Sequence, residues 1–153
     1  MSEFRESRDR ALLERAIGLA WRCPPSETAF SVGAMVVADD GTVLGTGWSR
    51  RGDLHEHAEE AALADVGEAD RGLLATATIY TSLEPCSTRA SRPVTCTQHI
   101  LRAGIPRVVF AWREPDLFVD CVGAETLRAA GREVLELAEL AGAAREPNAH
   151  LLP

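Results

Sequence analysis

Ser31-Val-Gly-Ala-Met-Val-Val-Ala-Asp-Asp-Gly-Thr-Val-Leu-Gly-Thr-Gly-Trp48 is the stretch whose reading decides the fold. Two apolar, β-prone runs flank Asp39-Asp40-Gly41, and an Asp-Gly pair between such runs is a hairpin signal. Upstream, Glu6 to Trp21 spaces Leu12, Leu13, Ala16, Ile17 and Ala20 as one face of a helix. Pro24-Pro25 stops that helix. Downstream the pattern changes to alternation. His57 to Val66 reads as a helix and Ala77 to Ser82 as a strand. Cys96 to Ala103 reads as a helix ended by Gly104, and Arg107 to Trp112 as a buried strand. A helix near Ala124–Ala130 and a strand over Arg132–Leu137 complete the order α-β-β-α-β-α-β-α-β. A hairpin followed by alternating elements predicts an α/β fold: a mixed five-stranded sheet with helices on both faces, its last strand parallel to the one before. Residues 1–153 are read as one domain, with 144–153 as a flexible tail because Pro147 opposes a continuing helix.

Composition narrows the function classes. The chain has 153 residues, of which 46% are hydrophobic and 25% charged, enough for a buried core without staples. No apolar run approaches the ~18 residues that span a bilayer, and the N-terminus has no apolar leader, so the cytoplasm is the expected location. The net charge is −7 and all 16 basic residues are arginine. That excludes Schiff-base chemistry on lysine and disfavours a broad nucleic-acid interface, which needs a basic face.

The chemistry-bearing residues stand at element junctions. His57-Ala-Glu59 opens a helix, Glu84-Pro85-Cys86 follows a strand, and Cys96 opens the next helix. One His and two Cys make three ligands for a tetrahedral zinc ion and leave the fourth position to water, whose pKa the ion lowers towards ~7. Helix N-termini favour thiolates. A carboxylate two residues after the His, Glu59, reaches that water without being a ligand and can carry its proton. The combination H-x-E followed by P-C-x-x-C marks zinc nucleobase deaminases. Here the first half is intact, whereas nine residues, Ser87 to Thr95, separate the cysteines. His55 reads as a loop or rim residue, His99 as a helix-packing residue and His150 as solvated. Cys23 and Cys121 read as inert buried thiols. Arg89 and Arg92 are either solvated loop residues or an anion clamp for a substrate phosphate.

At these residues the chain resembles the cytidine-deaminase-like superfamily, in particular the deaminase domain of the bifunctional riboflavin-biosynthesis deaminase–reductase. The resemblance runs from about Ala11 to Leu137. It is carried by Val32-Gly-Ala34, Gly45-Thr-Gly-Trp48, His57-Ala-Glu59, Tyr80-Thr-Ser-Leu-Glu-Pro-Cys86, Ile100-Leu-Arg-Ala-Gly-Ile-Pro-Arg-Val-Val109 and Arg128-Ala-Ala-Gly-Arg-Glu-Val134. A long insertion between the cysteines is usual in that branch. The resemblance implies a three-layer α/β/α sandwich and one zinc held by His57, Cys86 and Cys96. It also implies a proton shuttle at Glu59 and a homo-oligomer, taken as a homodimer. Thr28-Ala-Phe-Ser31 stands where the branch usually has Pro-Asn-Pro, and Thr88-Arg-Ala-Ser-Arg-Pro-Val94 replaces its usual His-His-Gly-Arg-Thr-Pro-Pro loop. Ser31, Trp48, Arg89 and Arg92 are therefore the substrate-binding candidates.

The expected activity is hydrolytic deamination of a small nucleobase-like ring: an aminopyrimidine of the riboflavin pathway, or a cytosine- or guanine-type base, nucleoside or nucleotide. The alternatives are a tRNA-editing deaminase and a catalytically silent zinc-binding oligomerisation protein.

Overall fold

The structure is a computed structural model that describes residues 2–89, 92–115 and 121–153. Its five-stranded sheet has the order β2-β1-β3-β4-β5. The strands are β1 (Gly33–Val37), β2 (Val43–Trp48), β3 (Thr78–Leu83), β4 (Arg107–Trp112) and β5 (Glu133–Glu136). β1 runs antiparallel to both β2 and β3, whereas β3, β4 and β5 run parallel. The mixed sheet and the parallel last strand are as the sequence predicts. The hairpin turn also falls at Asp39–Gly41, with Gly41 in the left-handed region at φ 94°.

Among the described residues the α-helices are α1 (Ser2–Leu19), α2 (Ala58–Asp65), α3 (Cys96–Ala103), α4 (Gly123–Ala129) and α5 (Ala141–Arg145). The crossovers β3-α3-β4 and β4-α4-β5 join parallel neighbours, so one handedness puts α3 and α4 on one face of the sheet. α2 packs against α3 and over β2 and β1, while α1 packs on β1, β3 and β4. β-strand alternation separates these two layers: Gly33 meets α1, whereas Gly45 and Gly47 meet α2. At Gly47 the approach is so close that a Cβ would lie 2.3 Å from the Ala62 nitrogen and 2.6 Å from the Ala58 carbonyl. Only glycine lets α2 sit that low on the sheet.

Two elements depart from the sequence reading. A 3-10 segment, Glu68–Thr76, fills the connection before β3. Of residues 144–153, expected as a flexible tail, those to Leu151 are helical and anchored: Ala144 and Asn148 are each 1% exposed, and a 3-10 turn spans Glu146–Leu151. Pro147 does end the α-helix, but it sits in the first turn of that 3-10 segment, where its missing N–H costs nothing. His150, expected to be solvated, is exposed but bonds through Nε2 to the Ser26 carbonyl.

Beneath the sheet lies one buried ion pair. Asp9 accepts two bonds from Arg107, at 2.7 and 2.6 Å, and a third from the Tyr80 hydroxyl at 2.6 Å. Burial pushes the Asp9 carboxyl up, but the Arg107 and Tyr80 hydrogen bonds and the Arg107 charge outweigh it and hold the carboxyl below its ordinary value. A depressed carboxyl contributes stability above its unfolded value, about 4, and loses it as pH falls through the lower folded value. Asp9→Asn should therefore cost about 3 kcal/mol at pH 7, because it strips a buried guanidinium of its main partner. It should also flatten the dependence of the urea midpoint on pH below about 4. An unchanged midpoint at pH 7 would show that the pair carries no stability.

Candidate metal centre and cavity

The functional side chains converge at the carboxyl ends of the parallel strands, where open α/β sheets place their ligands. His57 is the residue immediately before α2, in an extended conformation at φ −90°. Its backbone N–H donates to Glu60 Oε1 at 3.0 Å, so the helix start is closed by a residue one turn on. Cys86 follows β3 through Pro85. Cys96 is the first residue of α3, behind Thr95, whose hydroxyl accepts from the Gln98 N–H at 3.2 Å.

These three side chains form a cluster whose donor atoms all lie within 4.8 Å of one another. His57 Nδ1 is 3.2 Å from Cys96 Sγ and 3.6 Å from Cys86 Sγ. Tetrahedral zinc with bonds of about 2.0–2.3 Å sets neighbouring donors roughly 3.4–3.8 Å apart, so the observed spacing fits that ion. The donor chemistry fits as well. Cys86 is drawn down to about 4 by a hydrogen bond from Cys96, against the opposing effect of burial, with His57 and the Cys96 N–H adding to it. Cys96 is pushed the other way, first by burial and then by its hydrogen bond with Cys86, with the Glu59 and Cys86 charges adding to it. A divalent cation is what lets both sulfurs be thiolates together.

The loop carrying Cys86 is fixed from below. Glu84 is 2% exposed and its carboxylate accepts the Glu114 N–H at 3.2 Å and the Ala124 N–H at 3.0 Å. The first tie holds the chain leaving β4 and the second the start of α4. Gly123 lies directly against this loop, where a Cβ would fall 1.9 Å from the Pro85 carbonyl oxygen. The Cys86 carbonyl accepts from the Thr97 N–H at 3.1 Å and from its hydroxyl at 2.7 Å, locking the two cysteine segments together.

A cavity of about 440 Å³ opens beside the cluster, lined in part by His57, Glu59, Cys86, Arg89 and Glu114. Glu59 is 4% exposed, and burial pushes its carboxyl up to about 7, with His57 opposing the rise and Cys86 adding to it. Glu60, the next residue, points away into ion pairs and is held below its ordinary value, Arg89 and the His57 N–H prevailing over burial. Glu114 is a cavity carboxyl that the sequence reading missed. Burial carries it up to about 7, with Cys86 contributing in the same direction.

The remaining sequence candidates divide. Arg89 lines the cavity, but its guanidinium is engaged by Glu60 and by the His55 and Val94 carbonyls. Arg92 pairs with Asp53 and does not line this cavity. Neither an anion clamp nor a solvated loop describes this pair; both arginines fasten the loop to the α2 end. Ser31 and Trp48 are absent from the lining too. Ser31 is turned into contacts with Asn148 and Arg50, and the Trp48 ring is in contact with the guanidiniums of Arg22 and Arg51, each 5.3 Å from its centroid. Their neighbours Val32, Ser49 and Arg50 line the cavity instead.

His55 is an exposed rim residue, as expected. His99 stands 3.5 Å from Glu60, outside the donor cluster. Cys23 and Cys121 are half-buried instead of fully buried. The Cys121 thiol donates to the Pro85 carbonyl at 3.2 Å, and burial raises it to about 12, which leaves it unreactive.

A mixed five-stranded α/β/α sandwich carrying a His/Cys/Cys centre beside a buried carboxyl defines a class of zinc-binding deaminase domains. The comparisons agree. Residues 6–112 match the family described as the cytidine and deoxycytidylate deaminase zinc-binding region, and the chain belongs to that family. It is 38% identical over 123 residues to the diaminohydroxyphosphoribosylamino-pyrimidine deaminase of Schizosaccharomyces pombe, covering 80% of this chain and 30% of that one. It is 42% identical over 104 residues to the riboflavin biosynthesis protein RibD of Aquifex aeolicus, covering 68% of this chain and 27% of that one. Among solved structures, RibD of Acinetobacter baumannii superposes with a TM-score of 0.79 at 30% identity, over 95% of this chain and 39% of that chain. The chain thus spans roughly a third of the length of these relatives.

The close packing of Gly123 generates a test of how the centre is held. Gly123→Ala should push the Pro85-Cys86 loop aside and weaken zinc retention by about 10–100-fold, as loss of a supporting partner does. Competition with a chromophoric chelator measures this. Zinc affinity equal to that of the unaltered chain would mean that the loop relaxes without moving Cys86.

Proposed function

We propose that the chain is a hydrolytic deaminase of a small aminated ring, with an aminopyrimidine of the riboflavin pathway as its first candidate. His57 Nδ1, Cys86 Sγ and Cys96 Sγ would hold the zinc. The metal supplies Lewis-acid activation of a water molecule at neutral pH. The single observation that carries the reading is Glu59: a cavity-lining carboxyl, buried beside the three donors and poised near neutrality.

Hydrolysis of an amidine-type carbon adds the oxygen of water, expels ammonia and requires protons to reach the ring nitrogen and then the amino group. Glu59 serves both transfers, and a carboxyl near neutrality gains and loses a proton with little penalty. A structural zinc site has no use for such a group, which disfavours the silent zinc-binding alternative. The −7 charge and the absence of lysine disfavour a tRNA-editing enzyme. Nor is a phosphate clamp by Arg89 and Arg92 retained, since both guanidiniums already face carboxylates.

The cytoplasm is the proposed compartment, because ligand thiols must stay reduced. No helix among the described residues is long and apolar enough to cross a membrane. A homodimer is the proposed assembly, with exposed Phe4 and Trp21 offering apolar surface.

Glu59→Gln should keep one equivalent of zinc and the native fold while losing 10²–10⁴-fold or more in kcat. Ammonia release and metal content on the same sample read both quantities. Full activity would remove Glu59 from the proton path, and loss of zinc would make it a ligand. On a panel of the phosphoribosylated diaminopyrimidine, cytosine, guanine, cytidine, dCMP and tRNA, a small ring should be turned over. Deamination of tRNA alone would overturn the small-molecule reading.

A further inference from the structure

One wall of the cavity is an irregular segment ahead of β1. Residues 24–31 run between the first helix and β1, and Pro25, Ser26, Thr28, Ala29 and Phe30 from this segment line the cavity. An irregular segment must satisfy its backbone polar groups from elsewhere. Here side chains from two distant parts of the chain do so. The Arg50 guanidinium donates from Nε and Nη2 to the Pro24 carbonyl at 3.1 and 2.7 Å. It also donates to the Phe30 carbonyl at 3.1 Å and to Ser31 Oγ at 2.7 Å. It thereby bridges both ends of the wall. Asn148 takes the Ser31 N–H on Oδ1 at 2.6 Å and returns a bond from Nδ2 to the Ser31 carbonyl at 3.0 Å. The His150 ring meets the Ser26 carbonyl at 2.7 Å.

Two features separate these contacts from ordinary loop packing. Arg50 is 7% exposed and lines the cavity, yet it forms no ion pair among the described residues, so its charge is spent on neutral acceptors. It also holds a left-handed backbone at φ 62°, the sole non-glycine at positive φ among the described residues. Such strain persists only where surrounding contacts over-determine it, and it concentrates at ligand sites. Asn148, 1% exposed, holds Ser31 through both ends of its amide, while Nδ2 also donates to the Ala144 carbonyl at 3.3 Å.

We infer that Arg50 and Asn148 are positioning residues that clasp residues 24–31 into a preformed wall, and so set affinity for the ring without taking part in proton transfer. The inference rests on the deaminase reading for its substrate, but the clasp itself can be read independently. Fixing a binding segment before the ligand arrives removes an ordering cost from binding. Releasing it should therefore appear in KM and leave kcat nearly intact.

The test compares Arg50→Gly, which suits the left-handed backbone, with Arg50→Lys and Asn148→Ala. Ammonia release from the phosphoribosylated diaminopyrimidine and amide hydrogen exchange across 24–32 are measured on each zinc-loaded protein. Each variant should raise KM about tenfold, equivalent to ~1.4 kcal/mol, with kcat within about threefold. Exchange should accelerate across 24–32, including the Ser31 amide, while the amides of β3 and β4 stay protected. Added guanidinium ion should lower the KM of Arg50→Gly but not that of Asn148→Ala. Unchanged KM, or a fall in kcat with KM preserved, would overturn the inference, as would exchange that rises across the whole sheet. An unaltered protein that releases no ammonia from this compound would instead overturn the choice of substrate, and exchange over 24–32 would still decide the clasp.

Discussion

The seat of α2 on β2 is the constraint on which the rest of the site depends. Gly45 and Gly47 both face the helix, and a side chain at either would strike its backbone, since a Cβ at Gly45 would lie 2.4 Å from the Ala62 carbonyl. Alternation along a strand puts residues two apart on one face, so a single glycine-threonine-glycine run clears a continuous groove. Ala58, Ala61 and Ala62 of α2 are fully buried and present only methyl groups to that groove. The helix consequently sits close to the sheet, and the residue before its first turn, His57, reaches the end of β3 where Cys86 emerges. Larger residues at any of these positions would lift the helix and widen the spacing of the three metal donors.

Once the helix is seated, its first turn distributes carboxylates by angle. Consecutive helical residues project about 100° apart, so Glu59 and Glu60 enter different surroundings from the same turn. Glu59 turns to the cavity, where burial raises it towards neutrality. Glu60 turns to the loop between the cysteines, where Arg89 and the His57 N–H keep it ionised. One carboxyl is thus left near neutrality beside the three donors, and its neighbour is a fixed anchor for the loop. The helix needs no special sequence to achieve this beyond two adjacent glutamates at its start.

The architecture was legible in the sequence because its signals are local. Hydrophobic periodicity marks α1, an Asp-Gly turn marks the hairpin, and Gly104 marks the end of α3. The metal donors were legible for a related reason: residue type and junction position suffice to single out His57, Cys86 and Cys96, and the fold brings all three together. The cavity walls were not legible in the same way. The resemblance points to Trp48 and Ser31, but which face of a strand or side of a loop meets a cavity depends on packing between segments far apart in the chain. Arg89 and Arg92 misled for another reason. An arginine in a loop reads as free cation until its carboxylate is known, and here Glu60 and Asp53 lie about 30 to 40 positions away. Glu60 did carry a signal of its own, as a glutamate at the third helical position, where capping boxes place it. Glu114 and Asn148 carried none.

The two halves of the cavity are built by different means, and this bears on what each can change. The donor side hangs on short-range geometry: a helix seated on glycines, a loop pressed against Gly123, and two cysteine segments joined through the Cys86 carbonyl. An error of an ångström there alters metal binding, so that side tolerates little substitution. The opposite side is an irregular segment held by Arg50, Asn148 and His150 through bonds that, apart from the one to Ser31 Oγ, go to backbone atoms. Backbone partners do not depend on which side chains the segment carries. Thr28 and Ala29 could therefore be exchanged for residues that fit another ring while the clasp and the metal donors stayed as they are, whereas Phe30 is tied to the core by its edge-to-face contact with Trp112. Under the proposed deaminase activity, a division of this kind would let one centre serve rings of different shape, because the atoms selecting the ring would be mechanically separate from those attacking it.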